Sequence, residues 1–416
     1  MAFFNKTIFT GLAPNLTGRD TATALAYLFL PWKWSSLRNG RYANQAEEQL
    51  KKYFSVPYAH IFDSGRSALY FALKALGADS EAKVLVQAYT CVVVSNAINY
   101  TGAKPIYLDI GDDFNINPEE LEKKITPHSK ILIIQHTFGQ PARLQEILAI
   151  ARRHNLKIIE DCAHSLGARY QSRLTGTFGQ IGMLSFGSDK IISCARGGAL
   201  ITNDDEINKK INNYRASLPP SSCSKIFQHL AHYPVFYFGK ALYSLKIGKI
   251  LLKLAKNLSI INKIIYAEEK AGDRPKNYPA LLPNCLAEIL SRQITELEIN
   301  IEHRKKIAAL YDKLINNKKI ILPPRGKSES IYLRYPILVQ EPKKLLLLAK
   351  KQGIILGDWY NAPIAPADID LNRTGYRPGD CPKAEQLSKQ SVNLPTGRSV
   401  SEQDAERIIK LINSIV

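Results

Sequence analysis

The chain is short of acidic residues. Its 416 residues include 37 Asp and Glu against 56 Lys and Arg, which gives a formal net charge of +19. An excess of that size favours an anionic partner: a nucleic acid, an acidic membrane or a phosphorylated small molecule. Composition alone leaves these three classes open.

Other absences narrow the class of protein. The six cysteines are scattered and form no CxxC pair, which argues against a structural zinc site, so no metal is predicted. The first residues lack a charged segment followed by an apolar run, and the longest early apolar stretch, 22–32, is too short to span a bilayer. The glycines at 176–182 are spaced GxxGxxG and precede a strand-like run, which excludes a dinucleotide-binding fingerprint. We therefore expect a reduced, soluble, cytoplasmic protein.

Short β-rich runs alternate with helical patterns along the first half of the chain. The strand-like runs fall at 83–88, 105–110, 130–136, 157–161, 181–186 and 198–202. Apolar strands that alternate with helices predict an α/β fold whose mostly parallel sheet is covered on both faces. We predict an N-terminal segment at 1–40, a large domain at 41–300 with an insert at 222–276, and a smaller C-terminal α+β domain at 301–416.

Three segments of the predicted large domain carry residues suited to chemistry. Ser64-Gly65-Arg66-Ser67 opens a helical run, where free N–H groups and a glycine form an anion cradle, although a simple N-cap has the same pattern. Asp161 stands at the carboxyl end of a buried strand, where α/β sheets place ligands, and His164 follows three residues later. The alternative for Asp161 is a helix cap. Lys190 follows another strand-like run. Its amine would be a nucleophile if the side chain is buried and an ordinary solvated charge if it is exposed.

Together these segments supply what pyridoxal 5′-phosphate (PLP) requires. They offer a cradle for its phosphate, a carboxylate that keeps the pyridine nitrogen protonated, and a lysine for its aldehyde. Tyr89, after the run at 83–88, is an aromatic that could stack on the cofactor ring, with core packing as its alternative.

Several motifs occur in an order that points to one family. They are SGRSAL at 64–69, GAKP at 102–105, QHTFGQP at 135–141, EDCAHSLGA at 160–168, the run 176–190, GGA at 197–199, CPKAE at 381–385 and SVNLP at 391–395. Taken together, they resemble the DegT/DnrJ/EryC1/StrS family of PLP-dependent sugar aminotransferases. The resemblance covers about 40–221 and 277–416, and it implies the type I fold of PLP-dependent transferases.

The same resemblance implies roles around the cofactor ring. Lys190 would bond the cofactor aldehyde, and Asp161 would pair with the pyridine nitrogen. His164 and Tyr89 would flank the ring.

Further implied roles concern the phosphate and the partner subunit. Gly65, Arg66, Ser67 and Ser185 would hold the phosphate. Asn277 would reach the neighbouring active site in a homodimer.

The chain also departs from the family pattern at several positions. Arg66 replaces the usual Thr, Arg196 stands where many members have Glu, and Pro279 replaces an Arg. The insert at 222–276 has no counterpart in compact members of the family.

The resemblance implies transamination in two half-reactions. An amino acid, by resemblance L-glutamate, would give its amino group to the keto group of a nucleotide-linked sugar, for lipopolysaccharide or another cell-envelope glycan. One alternative is a sugar dehydratase of the same family, in which a histidine replaces the lysine. Another is a non-catalytic, membrane-associated homologue. Lys190 argues against the first, and the Lys190–Asp161 pair argues against the second. No nucleic acid is expected, since no binding module is recognisable.

The insert carries a large share of the excess charge. Between Ser222 and Tyr266 there are seven lysines and no Asp or Glu. The spacing at 246–263 predicts a basic amphipathic helix with lysines on one arc and Ile and Leu on the other. Two interpretations stay open: peripheral contact with an anionic membrane through 222–266, or packing on the protein itself with the lysines in solvent.

Overall fold

The structure is a computed structural model that describes residues 6–276, 278–324 and 329–415. The α-helices run in chain order as α1 (Gly18–Phe29), α2 (Tyr42–Phe54), α3 (Gly65–Ala75), α4 (Val92–Asn99), α5 (Pro118–Lys124), α6 (Leu144–Arg153), α7 (Asp205–Ala216), α8 (Cys223–Ala241), α9 (Ile247–Asn257), α10 (Ala267–Lys270), α11 (Asn284–Thr295), α12 (Leu297–Leu314), α13 (Pro342–Lys351), α14 (Pro382–Gln390) and α15 (Glu402–Asn413). The strands are β1 (Ile8–Phe9), β2 (Tyr58–Phe62), β3 (Lys83–Gln87), β4 (Thr90–Cys91), β5 (Lys104–Leu108), β6 (Ser129–Gln135), β7 (Lys157–Asp161), β8 (Arg169–Tyr170), β9 (Arg173–Leu174), β10 (Ile181–Ser185), β11 (Gly198–Thr202), β12 (Tyr335–Leu338), β13 (Ile354–Ile355), β14 (Ile364–Ala365) and β15 (Ser391–Leu394).

A seven-stranded sheet in the order β2-β11-β10-β7-β6-β3-β5 forms the centre of the molecule. Neighbouring strands from β10 to β5 are parallel, and only β11 runs antiparallel to both of its neighbours. The carboxyl ends of β2, β3, β6, β7 and β10 therefore lie at one edge of the sheet, where the amino end of β11 joins them. Functional groups that follow these strands are brought together at that edge.

The sheet is covered on both faces, as the alternation of apolar runs predicts. Val84 and Val86 of β3 pack in a core with α3, α4 and α7. Leu85, between them, faces the opposite side and packs in a core with α5 and α6. The period-two pattern of strand side chains thus distributes one strand between two cores, which confirms the predicted α/β fold with a mostly parallel sheet flanked by helices.

A smaller unit near the carboxyl end has its own core. There β12 pairs antiparallel with β15, and β1, from near the amino end, pairs in parallel with β13. Residues from β1, α12, α13 and α15 meet in one buried cluster. The amino-terminal strand is therefore part of this smaller core.

The insert forms an antiparallel layer of helices. Helix α8 packs against α1 on one side and α9 on the other. Helix α9 is shorter than the predicted helix at 246–263: it ends at Asn257, the chain then leaves helical geometry, and Ile261 is buried in the irregular segment that follows. The prediction of a single helix through 263 is therefore wrong, because burial of Ile261 and the turn after α9 override the helical spacing. Among the described residues, no helix is both long enough and apolar enough to cross a membrane.

Candidate active site

A pocket opens at the edge of the sheet where the parallel strands end. Asp161 ends β7, Ser185 ends β10 and Gln135 ends β6, and all three side chains line the pocket. Lys190, in the loop after β10, lines it as well. The strand order thus brings together residues that are far apart in sequence.

The floor of the pocket is the amino end of α3. Ser64 caps the helix by accepting the Ser67 N–H at 3.3 Å, which leaves the N–H groups of Gly65 and Arg66 without an intrahelical acceptor. A Cβ on Gly65 would lie 2.9 Å from both Cβ and Oγ of Ser185. Glycine at position 65 therefore allows the helix end to approach Ser185 closely. The result is a cradle suited to a phosphate group, with free N–H groups and the positive end of the helix dipole.

Asp161 is buried, and one of its carboxylate oxygens accepts the Ala163 N–H at 2.9 Å. Burial raises the pKa of this carboxyl, whereas the Ala163 N–H and the nearby charge of Lys190 oppose the increase. Burial also lowers the pKa of the Lys190 ammonium, and Asp161 opposes that change. The pocket thus contains an acid and a base whose pKa values both move toward neutrality.

His164 forms one wall of the pocket. Its ring stacks on Tyr360, with centroids 5.7 Å apart, and Nδ1 accepts the Phe138 N–H at 3.4 Å. Burial holds its pKa well below the usual range, so the ring is neutral at neutral pH. A neutral imidazole fixed in this way offers a flat face to a bound ring.

Tyr89 does not line this pocket, which corrects the expectation that it flanks the cofactor ring. The residue has a φ of 68°, and its fully buried ring packs on Phe114 and Tyr360 with centroids 5.2 and 5.3 Å away. Cys91, two residues later, lines the pocket instead. The strand-end rule indicated the correct loop, but the turn at Tyr89 directs that ring into the core.

Ser67 also departs from expectation. Its hydroxyl is fully buried, donates to Asp63 and lies 3.0 Å from the Ser64 hydroxyl, and it does not line the pocket. The phosphate contact expected of this hydroxyl is therefore not available. Asn277 lies outside the described residues.

Arg66 lines the pocket, but its guanidinium is already engaged. It forms a buried ion pair with Glu269 of α10 and donates to the Ile264 carbonyl at 2.7 Å. Arg196, before β11, lies 4.8 Å over the ring of Tyr266 and donates to its hydroxyl at 3.0 Å. The two arginines that depart from the family pattern thus both contact the insert.

The insert supplies pocket residues that the sequence did not reveal. His229, His232 and Phe236 reach the pocket from α8, and 262–265 reach it from the segment before α10. Trp359 comes from the smaller unit. No spacing rule links these positions to β7 or β10, so only the three-dimensional fold brings them together.

The loop that carries Lys190 is fixed by residues from distant parts of the chain. Asp189 accepts a bond from Arg334 at 3.2 Å. Asn15 donates its side-chain amide to the Lys190 carbonyl, and Arg304, fully buried, donates to Asn15 at 2.8 Å. These contacts set the backbone position of the lysine.

A buried cluster beside the site has a structural explanation. His136, Glu160 and Cys162 lie close enough together to hold a metal ion. The Glu160 oxygens, however, accept three backbone N–H groups, those of Gly176, Phe178 and Gly179, at 2.6 to 2.9 Å. The carboxylate is therefore used to hold the loop before β10.

A profile of the DegT/DnrJ/EryC1/StrS aminotransferase family matches residues 28–229 and 267–413. The chain belongs to this family. The match confirms the predicted aminotransferase chemistry and its cofactor, PLP. The cradle at Gly65, the carboxylate of Asp161 and the amine of Lys190 have the chemistry that would suit the phosphate, ring nitrogen and aldehyde of PLP. Residues 230–266, between the two matched segments, lie outside the profile.

Individual proteins are similar to this chain as well. A pleiotropic regulatory protein of Geobacillus stearothermophilus is 26% identical over 379 residues, which cover 90% of this chain and 89% of the relative. A GDP-perosamine synthase of Caulobacter vibrioides is 34% identical over 204 residues, 49% of this chain and 54% of the relative. PseC of Helicobacter pylori, an aminotransferase involved in the biosynthesis of pseudoaminic acid, shares the fold with a TM-score of 0.75 at 21% identity, over 98% of both chains. The predicted fold class is thereby confirmed.

Proposed function

We propose that this protein transfers an amino group from an amino acid, L-glutamate, to the keto group of a nucleotide-linked sugar. The observation that carries the proposal is the shared pocket of Lys190 and Asp161 above the free N–H groups of α3. Relatives named for nucleotide-sugar chemistry, such as the GDP-perosamine synthase, support the choice of acceptor.

Different residues of the pocket would hold different parts of PLP. The amino end of α3 and Ser185 would bind the phosphate, Asp161 would keep the ring nitrogen protonated, and His164 would lie against the ring. When bound, PLP withdraws electrons from the carbon that loses its proton. The Ala163 N–H holds the buried Asp161 carboxylate in place for a cationic partner.

Lys190 would both bond the cofactor and move protons. Because burial lowers its pKa, a larger fraction of the amine is neutral near neutral pH than for an exposed lysine. Once displaced by the amino donor, the amine can take a proton from the donor Cα and return one to the cofactor carbon. Asn15 holds the backbone from which this side chain reaches.

A second cavity adjoins the pocket and suits an anionic acceptor. Arg196 and His229 line both cavities. Lys225, Arg274 and Lys276 also line the second cavity. Its acidic lining residues are fewer: Asp63 and Glu268. We assign the diphosphate of the acceptor to this basic cavity, with the sugar directed toward Lys190.

The wider setting is part of the same proposal. The enzyme would work as a homodimer in the cytoplasm and feed a cell-envelope glycan such as lipopolysaccharide. Its partners would be the amino donor, the nucleotide sugar and a second subunit, and no nucleic acid.

The test is the absorbance of the purified protein with and without L-glutamate. The band of lysine-bound PLP should shift to that of the pyridoxamine form, and a nucleotide-linked keto sugar should restore it. Lys190→Ala should abolish the bound-aldehyde band and turnover, whereas Lys263→Ala, which removes another lysine that lines the pocket, should keep the band. Absence of a chromophore, or an unchanged spectrum in Lys190→Ala, would refute the cofactor assignment.

A further inference from the structure

Exposed large apolar side chains are concentrated on the helical layer formed by α1, α8 and α9. Among the described residues sixteen such side chains are exposed, and twelve belong to α1, the turn after it and 237–264. These twelve are Phe29, Trp32, Trp34, Tyr237, Phe238, Leu245, Ile247, Ile250, Leu254, Leu258, Ile260 and Ile264. A patch of this kind marks an interaction surface.

Helix α9 packs on α8 with only part of its apolar surface: Leu252 lies against Gly239, whereas the apolar side chains of another arc stay exposed. Small residues bring the two helices close together: a Cβ on Gly248 would clash with the Gly239 carbonyl oxygen, and Ala255 is buried. Close approach through glycine leaves the neighbouring arc of α9 outside the contact. Ile247, Ile250, Leu254 and Leu258 are accordingly 56%, 58%, 52% and 69% exposed.

The lysines of α9 lie beside this apolar arc. At about 100° per residue, the exposed apolar residues fall within an arc of about 80°, and Lys249, Lys253 and Lys256 fall within another of about 60° beside it. Lys246 is the residue before the helix. All four lysines are exposed, and within the described residues none has a carboxylate partner within 4.0 Å. The helix therefore has three faces: one that packs, one apolar and one cationic.

We propose that α9 docks on an anionic lipid bilayer, with Ile247, Ile250 and Leu254 inserted at the headgroup boundary and its lysines on the lipid phosphates. An interfacial helix has this combination of an apolar arc and flanking lysines, and exposed aromatic residues like Trp32 and Tyr237 favour the same boundary. The exposed arc of α9 lies outside the candidate active site, so docking leaves the pocket free.

The charges favour lipid over a second copy of the chain. Two copies joined through this face would place two sets of four lysines together, and α9 has no acidic residue to neutralise them. An anionic bilayer supplies the opposite charge and an apolar interior in one partner. The position of α9 within residues 230–266, which the family profile leaves unmatched, gives this chain a surface that the profile does not include.

The experiment is vesicle flotation with the full-length, PLP-loaded protein. Vesicles of phosphatidylcholine alone are compared with vesicles of equal parts phosphatidylcholine and phosphatidylglycerol. We expect the protein to float with the anionic vesicles alone, and to be released by high salt because screening weakens the lysine contacts.

Paired variants locate the surface. Lys253→Glu with Leu254→Asp should reduce binding to anionic vesicles by about tenfold or more. The matched control, Leu347→Asp with Lys350→Glu, alters an exposed leucine and lysine on α13 and should bind like the wild type. The PLP spectrum and circular dichroism of each variant establish that it is folded. Equal recovery of wild type in the soluble fraction with both vesicles overturns the proposal. So does unchanged binding of the α9 variant, or an α9 variant that alters only the oligomeric state in sedimentation.

Discussion

The phosphate cradle depends on the close approach of Gly65 to Ser185. Gly65 and Ser185 are so close that a methyl group at position 65 has no space, since its carbon would lie 2.9 Å from two side-chain atoms of Ser185. A side chain there would move either the helix end or Ser185. Both movements separate groups that would bind the same phosphate.

We therefore expect Gly65→Ala to weaken PLP binding. Overpacking costs about 1–3 kcal/mol, so the dissociation constant of PLP should rise by about 5- to 150-fold. Fluorescence or absorbance titration of the apoenzyme with PLP measures it. Gly18→Ala is the matched control, because Gly18 is also the first residue of a helix and a Cβ there meets only ordinary contacts at 3.7 Å or more. Equal affinity of both variants would contradict the cradle.

The predictability of site residues depends on how local their geometry is. Asp161 and Lys190 follow buried strands, and a rule about strand ends was sufficient to place both at the pocket. Tyr89 and Ser67 also lie close to the right edge, but a positive φ and a bond to Asp63 turn their side chains away. Their orientation depends on one turn and one hydrogen bond, which residue type and spacing do not encode.

At the scale of elements, the four-residue helix α10 joins the insert to helices α3 and α4. Glu269 of α10 pairs with Arg66 of α3, and the two side chains are only 1% and 11% exposed. Glu269 also accepts the Tyr266 N–H at 2.8 Å, and its own carbonyl accepts from Asn96 of α4 at 2.8 Å. The pair thus fixes the segment that walls the pocket.

Removal of Glu269 should be costly. Glu269→Ala leaves the Arg66 cation buried without its partner, which we expect to lower the free energy of unfolding by about 3–5 kcal/mol. Urea unfolding measures the change. The double variant Arg66→Met with Glu269→Leu leaves no unpaired charge buried. It should therefore recover most of the stability lost in Glu269→Ala. The same loss in the single and double variants would show that the ion pair is not the cause.

Element boundaries were more predictable in the sheet than in the insert. The strand-like runs at 157–161 and 198–202 coincide with β7 and β11, in which every residue except Lys157 is buried. The helical spacing at 246–263 predicted a longer helix than α9, because spacing does not reveal that Ile261 is buried in an irregular segment. Nor did it show that α9 packs through Gly248 and Ala255.

At the scale of the whole molecule, a buried neutral histidine makes stability depend on pH. The Nδ1 atom of His60 accepts a hydrogen bond from Arg215 at 2.9 Å, and Nε2 lies 2.9 Å from the side-chain oxygen Oδ1 of Asn208. Burial, chiefly, and the nearby Arg215 charge lower its pKa from 6.5 to about 4. A proton on Nδ1 would replace an acceptor with a donor that faces Arg215.

We expect acid to destabilise the protein through this residue. Its contribution is complete above pH 6.5 and is lost progressively as pH falls to about 4, because over that range only the unfolded state takes up the proton; the total is roughly 3 kcal/mol. Unfolding of wild type and His60→Asn at several pH values isolates this part, since other titrating groups are common to both. The variant should be less stable at neutral pH and lose less on acidification. Parallel curves would contradict the assignment.

The architecture at large scale was accessible from sequence, because it rests on many residues at once. The alternation of strands and helices from β3 to β11 predicted the parallel sheet, and errors at single positions did not alter it. The division into 1–40, 41–300 and 301–416 stays a prediction. The pairing of β1 with β13 and the pocket contacts of α8 were not predictable, since they join segments far apart in sequence and no local pattern marks them.

The hydrogen bond from Asn15 to the Lys190 carbonyl shows that the residues supporting the pocket extend beyond the segment that the family profile matches. The family profile begins at residue 28, yet the side chain that anchors the lysine loop lies upstream of it and is itself held by Arg304. The start of the family profile therefore excludes a residue that holds the Lys190 loop in place. A gene trimmed to the matched segment would keep every motif of the family and lose an anchor of the lysine loop.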